Sequence, residues 1–210
     1  KEKWYWLAAV VLGVLLSLLF AAHWTEGYAD MIQKGIGGKV VRFHVLANSD
    51  SEADQTLKLA VRDRVLQEYG DLLETCTSKE ETLAALKNAQ QEISETAEAE
   101  VLAQGYTYPV RVSLVREEFP FKKYGDLIFP AGVYDALRIE IGEAKGKNWW
   151  CVLYPQMCYV DAAWGYSTEE SHVRLQNTLT KEEFLVVSAM EQKKVTPKIK
   201  CRLVELWSER

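Results

Sequence analysis

The sequence predicts an α+β protein: a single exported domain with two long helices in its N-terminal half packed on a mostly antiparallel sheet, preceded by an N-terminal hydrophobic helix. Three observations carry this expectation. An uncharged run, Trp4–Ala22 (WYWLAAVVLGVLLSLLFAA), lies near the start of the chain. Apolar residues then recur at helical spacing between Glu52 and Gly105, and from Tyr108 onward the apolar period changes to two.

As a helix the uncharged run reaches about 28 Å, close to the hydrocarbon thickness of a bilayer. Trp4, Tyr5 and Trp6 stand at one end and Trp24 and Tyr28 at the other, as interfacial aromatic belts do. Residues 1–25 are therefore a signal peptide or a transmembrane anchor, and the two readings stay open. Lys1 and Lys3 make a small basic n-region, and Gly27-Tyr28-Ala29 offers small residues for a cut before Asp30. The length of the run favours an uncleaved anchor. The sequence starts at Lys rather than Met, which leaves room for further native residues ahead of it. Residues 26–38 are polar, end in three closely spaced glycines and read as a linker; residues 39–210 form the α+β ectodomain.

Lys39–Ala47 reads as a strand, with Val41, Phe43 and Val45 alternating against Val40, Arg42 and His44. Asn48, Ser49, Asp50 and Ser51 follow as consecutive capping residues, and Ser51 with Asp54 resembles a capping box. Leu57, Ala60, Val61, Val65 and Tyr69 mark an amphipathic helix from Glu52 to about Leu73. Ser78 and Glu81 open a second helix, whose stripe of Leu83, Leu86, Ile93, Ala97 and Val101 runs to a left-handed cap at Gly105. Val110–Leu114 and Tyr134–Ile141 read as strands, and Gly142–Asn148 as a hairpin loop into Trp149–Tyr154. Thr180 with Glu183 starts a helix over 181–193, and Ile199–Leu206 is a last strand.

Composition narrows the function. With 25 basic and 30 acidic side chains the net charge is −5, which is a poor match for nucleic-acid phosphates. No C-x-x-C motif and no His spacing suits a metal, so neither metal nor cofactor is expected. Four cysteines, Cys76, Cys151, Cys158 and Cys201, permit three full pairings in an oxidising compartment. Cys151–Cys158 is the best local candidate, because a turn at 153–156 would bring the two opposite each other; reduced, buried thiols are the alternative.

His44, Ser49 and Asp50 invite a catalytic reading. A serine nucleophile needs a base in reach and an exposed oxygen on a strained turn, and no G-x-S-x-G motif is present. Capping the free N–H groups of a helix start accounts for Ser49 and Asp50 more simply. Cys151 as a nucleophile, with His44 or His172 as base, has only apolar neighbours to raise its pKa. Trp149 and Trp150 alternate faces on their strand, so that one packs inside and the other is free for contact.

Two stretches, RFHVLANSDSEADQTLKLAVRD (42–63) and YGDLIFPAGVYDALRIEIGEAKGKNWWCVLYPQMCYVD (124–161), closely resemble the stage II sporulation protein R family of endospore-forming bacteria. The resemblance implies a signalling protein without catalytic residues. It implies export from the forespore into the intermembrane space, where such a protein switches on a membrane-embedded aspartic protease of the mother cell. That protease processes a sigma-factor precursor. The expected partners are this protease and, through the N-terminal segment, a membrane, with no nucleic acid and no small-molecule substrate. The expected docking surface joins Arg42–Asp54 to Lys147–Cys158, with Arg42, His44, Asn48 and Asp50 as directional contacts and Trp149 or Trp150 as anchor. Two competing readings are a cell-envelope hydrolase working through His44 and Asp50, and a peptidoglycan- or peptide-binding module using Trp149 or Trp150.

Overall fold

The computed structural model describes residues 2–158 and 169–188. Its first element, α1 (Glu2–Lys39), is one continuous helix of 38 residues. The span read as a linker, 26–38, is thus the helix's last turns and not a flexible joint. Ile32, Ile36 and Val40 are buried against the domain, and that burial outweighs the roughly 1 kcal/mol of helix propensity lost at each glycine. Gly37 is required there: a Cβ would stand 2.5 Å from the Val133 carbonyl oxygen.

After α1 come β1 (Val41–Leu46), α2 (Glu52–Glu74), α3 (Lys79–Asn88) and α4 (Gln90–Ala103). Ser51 caps α2, its Oγ accepting from the Asp54 N–H at 3.1 Å, and Ser78 caps α3 through the Glu81 N–H at 3.2 Å. The single helix expected over 78–105 is broken at Ala89. The break lets α3 dock through Lys79, which donates to the Gly37 carbonyl at 2.8 Å and pairs with Asp135 at 2.6 Å, while α4 lies along α2. Gly105 ends α4 with φ 84, the left-handed cap that its position predicts.

The remaining strands are β2 (Val110–Phe119), β3 (Lys122–Tyr124), β4 (Leu127–Phe129), β5 (Gly132–Ile141) and β6 (Asn148–Tyr154), followed by α5 (Glu169–Thr178) and α6 (Lys181–Ser188). The main sheet has the order β2-β5-β1-β6, with β1 parallel to β5 and the other two pairings antiparallel. Gly142–Asn148 is therefore no hairpin loop. β5 and β6 flank β1, and the connection crosses over the end of β1, where Gly146 N–H donates to the Ala47 carbonyl at 2.9 Å and Lys145 N–H to the Asn48 carbonyl at 3.2 Å.

One core lies between the sheet and α2–α4, built on Val41, Phe43, Val45, Leu137 and Ile139. A second lies on the opposite face, where the end of α1, the β3–β4 hairpin, α5 and α6 gather around Phe119, Phe129, Tyr134 and Val152. Thr180 and Glu183 form the expected reciprocal cap of α6, and Glu183 Oε2 also holds Lys39 at 2.6 Å. Residues 189–193 of the expected helix and the strand Ile199–Leu206 lie outside the described residues.

Candidate functional site

Strand alternation sends Val41, Phe43 and Val45 into the helix-side core, and Arg42 and His44 to the other face. That second face is not solvent. Arg42 is fully buried, its guanidinium within 4.9 Å of the Phe119 ring centroid, 5.1 Å of Phe129, 5.2 Å of Tyr134 and 5.6 Å of Tyr124. Its Nε donates to the Cys151 carbonyl at 3.2 Å and its Nη2 to the Tyr124 hydroxyl at 2.8 Å, while Nη1 finds no acceptor. Among the described residues no carboxylate pairs with it. Burial lowers its pKa, offset by the two tyrosines it touches. Four aromatic faces thus replace the counter-ion that a buried cation ordinarily needs.

His44 is also buried, stacked on Trp150 with centroids 4.9 Å apart and 13° between planes. Its Nε2 lies 2.6 Å from Glu117 Oε1 but out of line for a hydrogen bond. Desolvation, then the charges of Arg138 and Arg42, push its pKa down to about 4, so the ring is neutral at physiological pH. Glu117 Oε2 accepts from Arg138 Nη1 at 3.1 Å, and Arg138 Nη2 reaches Glu140 at 3.5 Å. The acid beside His44 is thus Glu117 on β2, rather than Asp50. On that one face Arg42 and His44 join β1 to residues of β2 and β6. The sequence reading expects directional partner contacts from both, and both side chains are buried here.

Asn48, Ser49 and Asp50 instead tie the β1–α2 turn to the crossover. Asn48 Oδ1 accepts from the Glu143 N–H at 3.0 Å, and its Nδ2 donates to Asp54 Oδ2 at 2.9 Å. Ser49 Oγ donates to the same oxygen at 2.5 Å. The Ser49 hydroxyl, then Asn48, hold the Asp54 carboxyl below its ordinary pKa. Asp50 Oδ1 accepts from the Lys147 N–H at 2.7 Å, and Lys58 Nζ donates to the Lys147 carbonyl at 3.0 Å. Gly146 presses on the Ser49 carbonyl so closely that no side chain fits. The two long motifs are therefore one physical unit, each closing the other.

The tryptophans are both half-buried. Trp149 packs edge-on to Phe43 and lies under the Arg62 guanidinium at 4.8 Å. Trp150 is stacked on His44, edge-on to Phe119, with Lys122 Nζ 5.1 Å from its ring. Cys151 and Cys158 form a disulfide, which removes Cys151 as a nucleophile; Cys76 has no disulfide partner among the described residues, and Cys201 lies outside them. His172 pairs with Asp126 at 2.8 Å. No cluster among the described residues is suited to a metal ion. Sequence reasoning missed Glu117, Arg138 and Tyr124, whose partners lie on strands far away in the chain; only the alternation of β2 and β5 hints at them.

A family model described as stage II sporulation protein R matches residues 37–164. A Bacillus subtilis (strain 168) protein named stage II sporulation protein R is 32% identical over 184 residues, covering 83% of this chain and 82% of its own length. No solved structure matches.

Proposed function

The chain belongs to the stage II sporulation protein R family, and from that premise we propose that this sporulation protein is an exported intercellular signal that works by docking. Its target is a membrane-embedded aspartic protease of the mother cell, whose activation leads to cleavage of a sigma-factor precursor. The N-terminal apolar helix is compatible with export as a signal peptide or anchor. The observation that carries the reading is the use of the RFHVLANSD motif. Arg42 is caged by rings, His44 is wedged neutral between Trp150 and Phe119, and Asn48, Ser49 and Asp50 close the crossover. Side chains already committed to internal contacts favour a rigid recognition body over a catalyst.

Coexpression of the full chain with the protease and its precursor tests this. Precursor cleavage that needs the chain, and that saturates near one chain per protease, is the expected result. Saturation far below that ratio, with a single substitution abolishing turnover while binding survives, would overturn docking in favour of catalysis.

A further inference from the structure

The continuity of α1 fixes how far the domain stands from a bilayer that the helix crosses. The helix is unbroken from Glu2 to Lys39, and Ile32, Ile36 and Val40 bury its last turns in the domain. No joint intervenes. Tyr5 and Tyr28, in the aromatic groups at the two ends of the apolar run, are both exposed and stand about 35 Å apart along the helix. A bilayer has about 30 Å of hydrocarbon, and about 40–45 Å with its headgroups. Without any tilt, both tyrosines therefore lie in the headgroup layers, where aromatic belts belong. Tyr28 then stands about 2 Å outside the hydrocarbon, and Ala29 and Asp30 about 3 Å beyond that.

Part of the domain reaches the same level. Ala29 and Asp30 line a cleft with Pro130 and Ala131, and Gln33, one turn further along α1, lies against Gly132. Gly132 pairs with Phe119, the last residue of β2. Counting on from that pair sets Pro120 and Phe121 abreast of Ala131 and Pro130. Two tips, 120–121 and 130–131, thus stand at headgroup depth beside α1. Their surface suits that depth. Phe121 is 49% exposed although Phe119, two residues before it, is buried, and Pro120, Ala131 and Lys123 are exposed near it. The cations Lys34, Arg116 and Lys123 are matched by Asp30, Glu118 and Asp135, with Lys34 on Asp30 at 2.8 Å and Arg116 on Asp135 at 2.9 Å. Lys122 is turned inward over the Trp150 ring. What these tips offer a bilayer is therefore apolar surface, not net charge.

We propose that the tips 120–121 and 130–131 are a second membrane contact, seating the domain on the lipid surface of the bilayer that α1 itself occupies, with Phe121 inserted among the headgroups at the level of Tyr28. The seat requires α1 to remain as an anchor, and so rests on that one of the two forms compatible with export above. An exposed ring placed at this boundary leaves water for a partly apolar surroundings, which is how interfacial segments bind. The rigid helix already holds the tips at the right height, so little ordering opposes the contact. On α1 alone the domain is free to lean as the helix tilts; a second contact beside the helix holds it upright, and the sheet then stands at one height and one angle above the lipid.

The test uses the full chain in phosphatidylcholine vesicles that carry a spin-labelled quencher on either the headgroup or the middle of the acyl chain. An environment-sensitive fluorescent residue replaces Leu12 in α1, Ala131 at the tip, or Lys145 at the far end of the sheet, one at a time. The acyl label should quench position 12. The headgroup label should quench position 131 about threefold or more above position 145, and Phe121→Asp should halve the quenching at 131 or better, at high salt as at low. Phe121 is half exposed, so an unchanged thermal unfolding curve is expected for Phe121→Asp; if the curve shifts, the comparison of 131 with 145 in the unaltered chain decides alone. No quenching at position 12 refutes the anchor form of α1, and the seat with it. Quenching at 12 with position 131 no more quenched than 145, or unmoved by Phe121→Asp in a normally folded chain, leaves the anchor standing and overturns the seat.

Discussion

Truncating Arg42 to alanine separates a core cation from a contact residue. The change removes a hydrogen bond to the Cys151 carbonyl and one to the Tyr124 hydroxyl, each worth about 1.5–3 kcal/mol from a charged donor. It also empties the space between the Phe119, Phe129 and Tyr134 rings, and large-to-alanine changes in a core cost about 2–5 kcal/mol. Relief of the buried charge's desolvation acts in the other direction. The net expectation is a loss of about 4 kcal/mol, or about 10 °C in melting temperature for a domain of this size. Arg42→Met keeps a flexible chain against the rings and sheds the charge, so it should lose only about 1–2 kcal/mol. Urea unfolding of the full chain in detergent, followed by tryptophan fluorescence, reads both. An Arg42→Ala protein within about 1 kcal/mol of wild type that nonetheless fails to drive precursor cleavage would refute the core role and return Arg42 to the interface.

Other outcomes follow from the same contacts. His44 has a folded pKa of about 4 against 6.5 when free, so its contribution is intact above pH 6.5 and is lost as pH falls towards 4, by about 3 kcal/mol in all. His44→Phe, which keeps a ring on Trp150, should flatten the stability–pH curve in that window, and an unchanged slope would show that another group titrates there. Ser51→Ala should cost about 1 kcal/mol through loss of the α2 cap, measured by chemical denaturation; a change near zero would move the cap elsewhere. The Cys151–Cys158 bridge closes a loop of sequence separation 7, so reductant should lower stability by about 2 kcal/mol. Mass spectrometry of non-reduced digests of exported protein checks the pairing, and two free thiols would exclude it.

Local pattern made much of this fold legible. Ser51 and Ser78 mark helix starts because capping needs only a side chain and the next three residues, and Val41, Phe43 and Val45 declare a buried face by alternation alone. The glycines of 26–38 suggest a linker, because nothing near them in the chain signals that Val133 lies against Gly37 and that the segment is helical. A short loop between two strands reads as a hairpin, yet six residues from Gly142 easily cross the two strand spacings, about 10 Å, that separate β5 from β6. Arg42 and His44 looked like surface residues because their cover comes from β2 and the β3–β4 hairpin, and no pattern near Arg42 encodes a lid some eighty residues later, as its bond to Tyr124 shows. At the β1–α2 turn, Asn48 and Asp50 stand out by residue type, but their targets, the backbone of Glu143 and Lys147, carry no side-chain signal.

The central place of β1 sets an order of assembly. It is the first strand after α1, yet both of its neighbours, β5 and β6, come from the second half of the chain, with Val41 meeting Asp135 and Tyr154. In a chain made from its N-terminal end, Val41, Phe43 and Val45 emerge early and remain unpaired until the second half of the chain follows. Such a strand is an aggregation hazard until its partners arrive. The sheet closes only when residues through Tyr154 are present, so the growing chain passes directly from an open thread to a nearly complete domain.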